Sequence, residues 1–373
     1  MNKQGDTMDY FNDVQLKPLF NEGGISFGEL EGNFKNHYYV LSDPKIAKLL
    51  NSPEIVGFDV YKALLPATSA VLCYFNEQHS LHPVNILTIL RGALNYPMEE
   101  GCYSQNIPVH DISFLSCERV FDGKEIVGLD ARYSKLAIVP DGTLLMGDII
   151  ASGETLIYCL DHVLDFYKQH NARLKNILTF TIGGTRAVEI AEEMTEKIRS
   201  FWPDFESFNV VFYGGMFSCY ENAGVAGIQI KNIDFYWGEK GIVDPEYRRI
   251  TLSQRDPIFE KCIIYDGGAR RYEINEHTGE VLEYWEAIRE RSGRIDILEL
   301  LAERLGHPLK ISLEEWIDAN GYRYLEKDLC KKLYQQEQDY IRVLKEEAST
   351  LKEIAERRIA EFKEALSTYI SVR

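Results

Sequence analysis

Between Thr143 and Thr155 the chain reads Thr-Leu-Leu-Met-Gly-Asp-Ile-Ile-Ala-Ser-Gly-Glu-Thr. Leu144 to Met146 form a short apolar run suited to a buried strand, with Asp148 at its carboxyl end. Ala151 to Thr155 then turn the chain into a helical pattern from Leu156 to His170. The first amides of a helix have no intrahelical acceptor, and the helix dipole adds partial positive charge there, so a phosphate would sit well at this turn. Ser152 and Thr155 would add hydroxyl donors, Gly153 would let the backbone approach closely, and Asp148 would accept hydrogen bonds from sugar hydroxyls. The constellation suits a ribose 5-phosphate. As plain structure, the same residues are a strand-loop-helix junction with a capping serine, in which Asp148 caps the loop. No Gly-Lys-Ser/Thr follows, which excludes a Walker loop.

These residues resemble the phosphoribosyl-diphosphate (PRPP) motif of the type I phosphoribosyltransferases. That motif has several hydrophobic residues, two acids, two more hydrophobic residues, then Ala/Thr-Thr/Ser-Gly-x-Thr/Ser. Here the first acidic position is Gly147, and the second, Asp148, is kept. A second stretch lies 57 residues earlier, where the buried-strand pattern Val84 to Leu90 runs into Arg91-Gly92-Ala93-Leu94-Asn95-Tyr96. It resembles the diphosphate loop of the same family, closely the Ile-Leu-Arg-Ala-Gly-Leu form of uracil phosphoribosyltransferases. A guanidinium at a strand's carboxyl end beside free amides would clamp a diphosphate; taken alone, it reads as a surface arginine in a turn.

The resemblance implies transfer of phosphoribose from PRPP to a nitrogen acceptor, a nucleobase, with release of diphosphate. Asp148 would hold the ribose hydroxyls, and Ala151, Ser152, Gly153, Glu154 and Thr155 the 5-phosphate. Arg91, Gly92 and Ala93 would hold diphosphate, and Mg2+ would be bound mainly by substrate and water. A mobile loop closes the family's active site, and Cys117 to Arg132 occupies the corresponding place. Arg119, Lys124 and Arg132 are therefore candidates to neutralise the leaving group, with Arg119 and Lys124 as expected catalytic residues beside Asp148. A homodimer is expected, as is usual in the family. The alternative is a non-catalytic PRPP- or nucleotide-binding regulator on the same fold, which the missing acid at Gly147 favours; a third reading gives the loop no phosphate and the C-terminal helix a role in assembly.

Strands are expected at Ile112 to Ser116, Lys135 to Val139, Asn176 to Ile182 and Phe208 to Tyr213, and helices at Leu156 to His170 and Thr185 to Trp202. This alternation implies an α/β fold, a doubly wound parallel sheet with ligands at the strands' carboxyl ends. Asp59 to Phe75 has helical spacing, with Pro66 near an end or a kink. Beyond Asp256 the pattern becomes mainly helical: Glu280 to Glu290, Asp296 to Leu305, a capping box at Ser312 to Glu315, and one long helix from Tyr324 to Tyr369. The expected divisions are 1–58, 59–255 and 256–373. Tyr236 and Trp237 are candidates to stack on a base. His79 and His82 would be two metal ligands at most and read better as loop histidines.

The formal charge of −17 argues against a nucleic-acid partner. Seven cysteines (Cys73, Cys102, Cys117, Cys159, Cys219, Cys262 and Cys330) have no Cys-x-x-Cys spacing, which suits reduced thiols and a cytoplasmic protein. No apolar run is long enough to span a bilayer, and no membrane partner is expected.

Overall fold

The structure is a computed structural model that describes residues 14–79, 81, 83–122, 125–220, 224–225, 228–229, 234–236, 242–260, 269–346 and 350–371. It is a mixed α/β protein with a central sheet. Two compact units divide it: one comprises the described chain up to Leu41 and Tyr61–Tyr213, the other Ser42–Val60 and the described residues from Gly214 onward. These limits differ from the sequence-based divisions, because the first strands pair into the sheet of the following α/β region and so belong with it.

In the first unit, β1 (Gln15–Glu22) and β2 (Ile25–Glu31) form an antiparallel hairpin. Its turn is Gly23-Gly24, whose φ values of 60° and 88° suit glycine and fit the twist of paired strands. Next come β3 (His37–Ser42) and, after α1 (Pro44–Asn51), which belongs to the second unit, α2 (Phe58–His79), which belongs to the first from Tyr61 onward. Pro66 lies inside α2 rather than at an end. The strand β4 (Val84–Leu90) matches the expected bounds; it is apolar apart from Asn85 and Thr88 and is buried on both faces except at Leu90, as a central strand requires. After α3 (Met98–Ser104) come β5 (Val109–Asp122), β6 (Glu125–Lys135) and β7 (Gly142–Ile150). The unit is completed by α4 (Glu154–Gln169), β8 (Leu174–Gly184), α5 (Arg186–Arg199) and the part of β9 (Ser207–Tyr220) up to Tyr213; the strand runs on through Gly214-Gly215 instead of ending there.

Strand order is β1-β2-β3-β9-β8-β7-β4-β5-β6. Pairing is parallel for β3 with β9 and for β4 with β5 and β7, as it is for β7 with β8. The sheet is nevertheless mixed, because β1/β2 and β5/β6 are antiparallel. From the β4/β7 junction the chain order runs outward in both directions, to β5 and β6 on one side and to β8 and β9 on the other. A reversal of this kind leaves a crevice beyond the carboxyl ends of the two junction strands. Val84, Leu87, Leu144, Leu145, Met146, Ile177 and Leu178 fill the sheet's centre, each at most 1% exposed.

The second unit carries the helices α6 (Pro245–Thr251), α7 (Ala269–Tyr272), α8 (Ile274–Arg291) and α9 (Ile297–Leu305). They are followed by α10 (Leu313–Ala319), α11 (Lys327–Glu346) and α12 (Leu351–Ser371). The box at Ser312 forms as read: Glu315 N–H donates to Ser312 Oγ (3.3 Å), and Ser312 N–H donates to Glu315 Oε2 (3.0 Å). The single long terminal helix is not formed. It is two helices, and Thr350 starts the second by accepting from Glu353 N–H (3.3 Å) while its own N–H donates to Glu353 Oε2 (3.0 Å). The core of this unit includes Trp285, Ile288 and Trp316 at 0% exposure, with a buried Arg248–Glu337 ion pair. The run Cys262 to Tyr265, whose composition reads as a short strand, lies outside the described residues.

Candidate functional site

Parallel pairing of β4 with β7 in the register Val84↔Thr143 through Leu87↔Met146 brings the two informative loops to one end of the sheet. Arg91 follows β4 directly and is exposed; the Leu90–Arg91 peptide is cis. Gly92–Asn95 then form a single 3-10 turn, in which Leu94 N–H donates to the Arg91 carbonyl (3.1 Å) and Asn95 Nδ2 to the Gly92 carbonyl (2.9 Å). Ala93 is buried and Gly92 half-buried.

Asp148 is 7% exposed and lies near the end of β7. Its Oδ1 accepts from the Ile149 N–H (2.8 Å) and faces the α-carbon of Gly92, where an added Cβ would lie 2.5 Å from it. The two loops are therefore in contact through this carboxyl. Burial pushes its pKa up to about 7, against the smaller opposing effect of the Ile149 amide. Near neutral pH it is thus poised between an acid that donates a hydrogen bond and a carboxylate that accepts several.

The vacant first acidic position has a steric cause. A Cβ on Gly147 would meet Tyr96 Cγ at 2.5 Å and Cδ1 at 3.0 Å, and would run into Tyr96 Cβ as well. Tyr96 is 5% exposed, and its hydroxyl accepts from the Ile182 N–H (3.2 Å) on β8. A tyrosine anchored to the neighbouring strand fills the space that an acid at 147 would need. Nothing in the spacing of the sequence links residues 96 and 147.

The turn into α4 begins on Gly153, which has φ 73° and no side chain to cap with. No serine caps this helix, and the Glu154, Thr155 and Leu156 amides have no intrahelical acceptor. Gly153 is required twice over, because a Cβ there would also collide with Ile190 Cδ1 of α5. Ala151, Ser152 and Thr155 are half-buried and Glu154 is exposed.

The remaining expected residues that are described lie in other elements. The segment Cys117 to Arg132, expected as a mobile loop, is most of the β5/β6 hairpin, paired out to Asp122↔Glu125. The strand expected from Lys135 to Val139 does not form, since β6 ends at Lys135. Arg119 is in β5 in register with Leu129. Lys124 lies outside the described residues. Arg132 is half-exposed and paired with Glu118 (3.0 Å) and Asp130 (3.3 Å), a surface network rather than part of the loop end. Tyr236 closes a short strand, Asp234–Tyr236, opposite Ser218, while Trp237 and His82 lie outside the described residues. Among the described residues no group of three or more His, Cys, Asp or Glu side chains is arranged to hold a metal ion. A cavity of about 400 Å³ in the second unit, lined by residues such as Leu252, Arg255, Gln336 and Tyr340, contains none of the expected residues. No described helix is long and apolar enough to cross a membrane.

No protein-family model matches the chain, and no curated protein matches it. Among solved structures, the chain is similar to a hypoxanthine phosphoribosyltransferase from Staphylococcus aureus, at 17% identity and a TM-score of 0.25. The similarity covers 34% of this chain and 66% of that one, just under two thirds of its length.

Proposed function

We propose that the first unit is a type I phosphoribosyltransferase-like, doubly wound domain that binds PRPP and transfers its phosphoribose to a nitrogen acceptor, releasing diphosphate. The observation that carries this reading is the meeting of Asp148 with Gly92 where the strand order reverses: the two motif loops touch through a buried carboxyl.

In this reading Asp148, ionised, accepts hydrogen bonds from the ribose hydroxyls. The unpaired amides at the start of α4, with the Ser152 and Thr155 hydroxyls, hold the 5-phosphate. Arg91 and the Gly92 and Ala93 amides hold the diphosphate. The acceptor nitrogen attacks C1 as the C1–oxygen bond to diphosphate breaks, and the protein contributes by aligning the two and matching charge at the leaving group. In this reading the protein offers magnesium one carboxyl, Asp148, with one oxygen engaged by the Ile149 amide. An ion would enter on the substrate's own oxygens, where a hard cation neutralises phosphate charge, and no step above passes through it.

A second reading is favoured by one specific feature. Tyr96 closes the first acidic position, which leaves the sugar a single carboxylate, as would suit a protein that senses PRPP or a nucleotide without turning it over. A diphosphate-release assay with PRPP, Mg2+ and a panel of uracil, hypoxanthine, guanine, adenine and orotate tests the first reading against the second. Release with one base supports the transferase; PRPP binding with no release from any of the five supports the sensor.

A further inference from the structure

We infer that Cys117 and Cys159 are an oxidative modification site: under peroxide they join in a reversible disulfide that ties the β5/β6 hairpin to α4. Their sulfurs lie 3.7 Å apart, in van der Waals contact, although the residues are 42 positions apart in the chain. A disulfide bond of about 2.05 Å asks the two sulfurs to approach by only about 1.7 Å. Cys117 stands at the irregular point of β5, where the register with β6 slips between Ser116 and Cys117. A strand already bent there accommodates a small displacement without breaking a regular ladder. Cys159, in the second turn of α4, is fully buried, whereas Cys117 is partly exposed.

The order of events follows from this asymmetry. Burial pushes the Cys159 thiol above its ordinary pKa, and the neighbouring Cys117 adds to the shift, so Cys159 is the poorer first target. Cys117 meets hydrogen peroxide first: its sulfur takes one oxygen to become a sulfenic acid, and one water is released. Cys159 then gives up its proton and attacks that sulfur, the S–S bond forms, and the sulfenic oxygen leaves as a second water. Two thiols lose two electrons and one peroxide becomes two waters. A dithiol reverses the step by exchange.

The cross-link would change how the hairpin is held. In the reduced protein the polar contacts between hairpin and helix among the described residues include Ala131 N–H donating to the Tyr158 hydroxyl (3.0 Å) and Ser134 Oγ with His162 Nε2 (3.2 Å). The bond adds a covalent tether on the helix whose first turn, in the proposed function, holds the 5-phosphate. Any effect on PRPP binding rests on that reading, but formation of the bond does not.

The test is a peptide map of the full-length protein, reduced, exposed to a small excess of hydrogen peroxide at pH 8, alkylated and digested without reductant. The expected product joins the peptides bearing Cys117 and Cys159 in most molecules and disappears on treatment with dithiothreitol. In Cys159→Ser the sulfenic acid on Cys117 should persist and react with dimedone. The inference is overturned if both residues remain alkylatable, if Cys117 goes on to the sulfinic acid with Cys159 still a thiol, or if the linked peptide forms only in urea. Because the map involves no PRPP, its result stands whether or not the ligand reading does.

Discussion

Asp148 Oδ1 faces the α-carbon of Gly92 so closely that a methyl group there would lie 2.5 Å from the oxygen. The carboxyl and the loop after β4 thus fix one another. Gly92→Ala should push the carboxyl out of place, at an overpacking cost of about 1–3 kcal/mol. If that cost falls on the ligand-ready geometry, PRPP affinity drops roughly tenfold or more. Calorimetry on Gly92→Ala checks this, and unchanged affinity with native stability would separate the loop from the site.

The pKa of Asp148 predicts how stability follows pH. Its folded value is raised to about 7 by burial, against an unfolded value of about 3.9. Between those limits the folded state binds the extra proton, so this group's stabilisation is complete below about pH 4 and is lost as pH rises to about 7. Three pH units at 1.36 kcal/mol each set an upper bound of roughly 4 kcal/mol. Asp244, at about 6, and Glu260, at about 7, have the same sign for the same reason, so the wild-type curve alone does not isolate the site. The difference between Asp148→Asn and wild type does. Urea unfolding should show the variant to be the more stable at pH 8, with the gap closing towards pH 4. A gap that is flat with pH would refute the burial argument.

Gly147 is held small by Tyr96. Gly147→Ala should destabilise the protein by about 1–3 kcal/mol, because Tyr96 Cβ and Cγ lie where the new methyl must go and the Tyr96 hydroxyl is anchored by Ile182. Urea denaturation checks this. Equal stability would mean that Tyr96 yields readily and that the first acid is missing for a different reason.

The parts of the molecule legible from sequence were those with a strong local signature. Val84–Leu90 reads as a buried strand because it is apolar at every position but Asn85 and Thr88, and the helices after Asp296 and Ser312 declare themselves by their capping residues. Strand edges were harder to read. Cys117 to Arg132 carries enough charge to look like a loop, yet it pairs as a hairpin, and antiparallel pairing beside parallel strands leaves no periodic mark of its own. The break between α11 and α12 was missed because amphipathic spacing continues through it, while Thr350 and Glu353 rebuild the helix start. At the site, Asp148, Gly92 and Gly153 were legible because each residue type has a local task. The packing of Tyr96 on Gly147 and of Ile190 on Gly153 was not, since those partners are distant in sequence and meet only through the fold.

The most direct test of the central claim is calorimetric titration of PRPP with Mg2+ into the wild-type protein and Asp148→Asn at pH 8. Hydrogen bonds to a charged group are worth about 1.5–3 kcal/mol. The account therefore predicts saturable binding in the wild type and roughly ten- to hundredfold weaker binding in the variant. No heat at millimolar PRPP, or equal binding by both proteins, would contradict it.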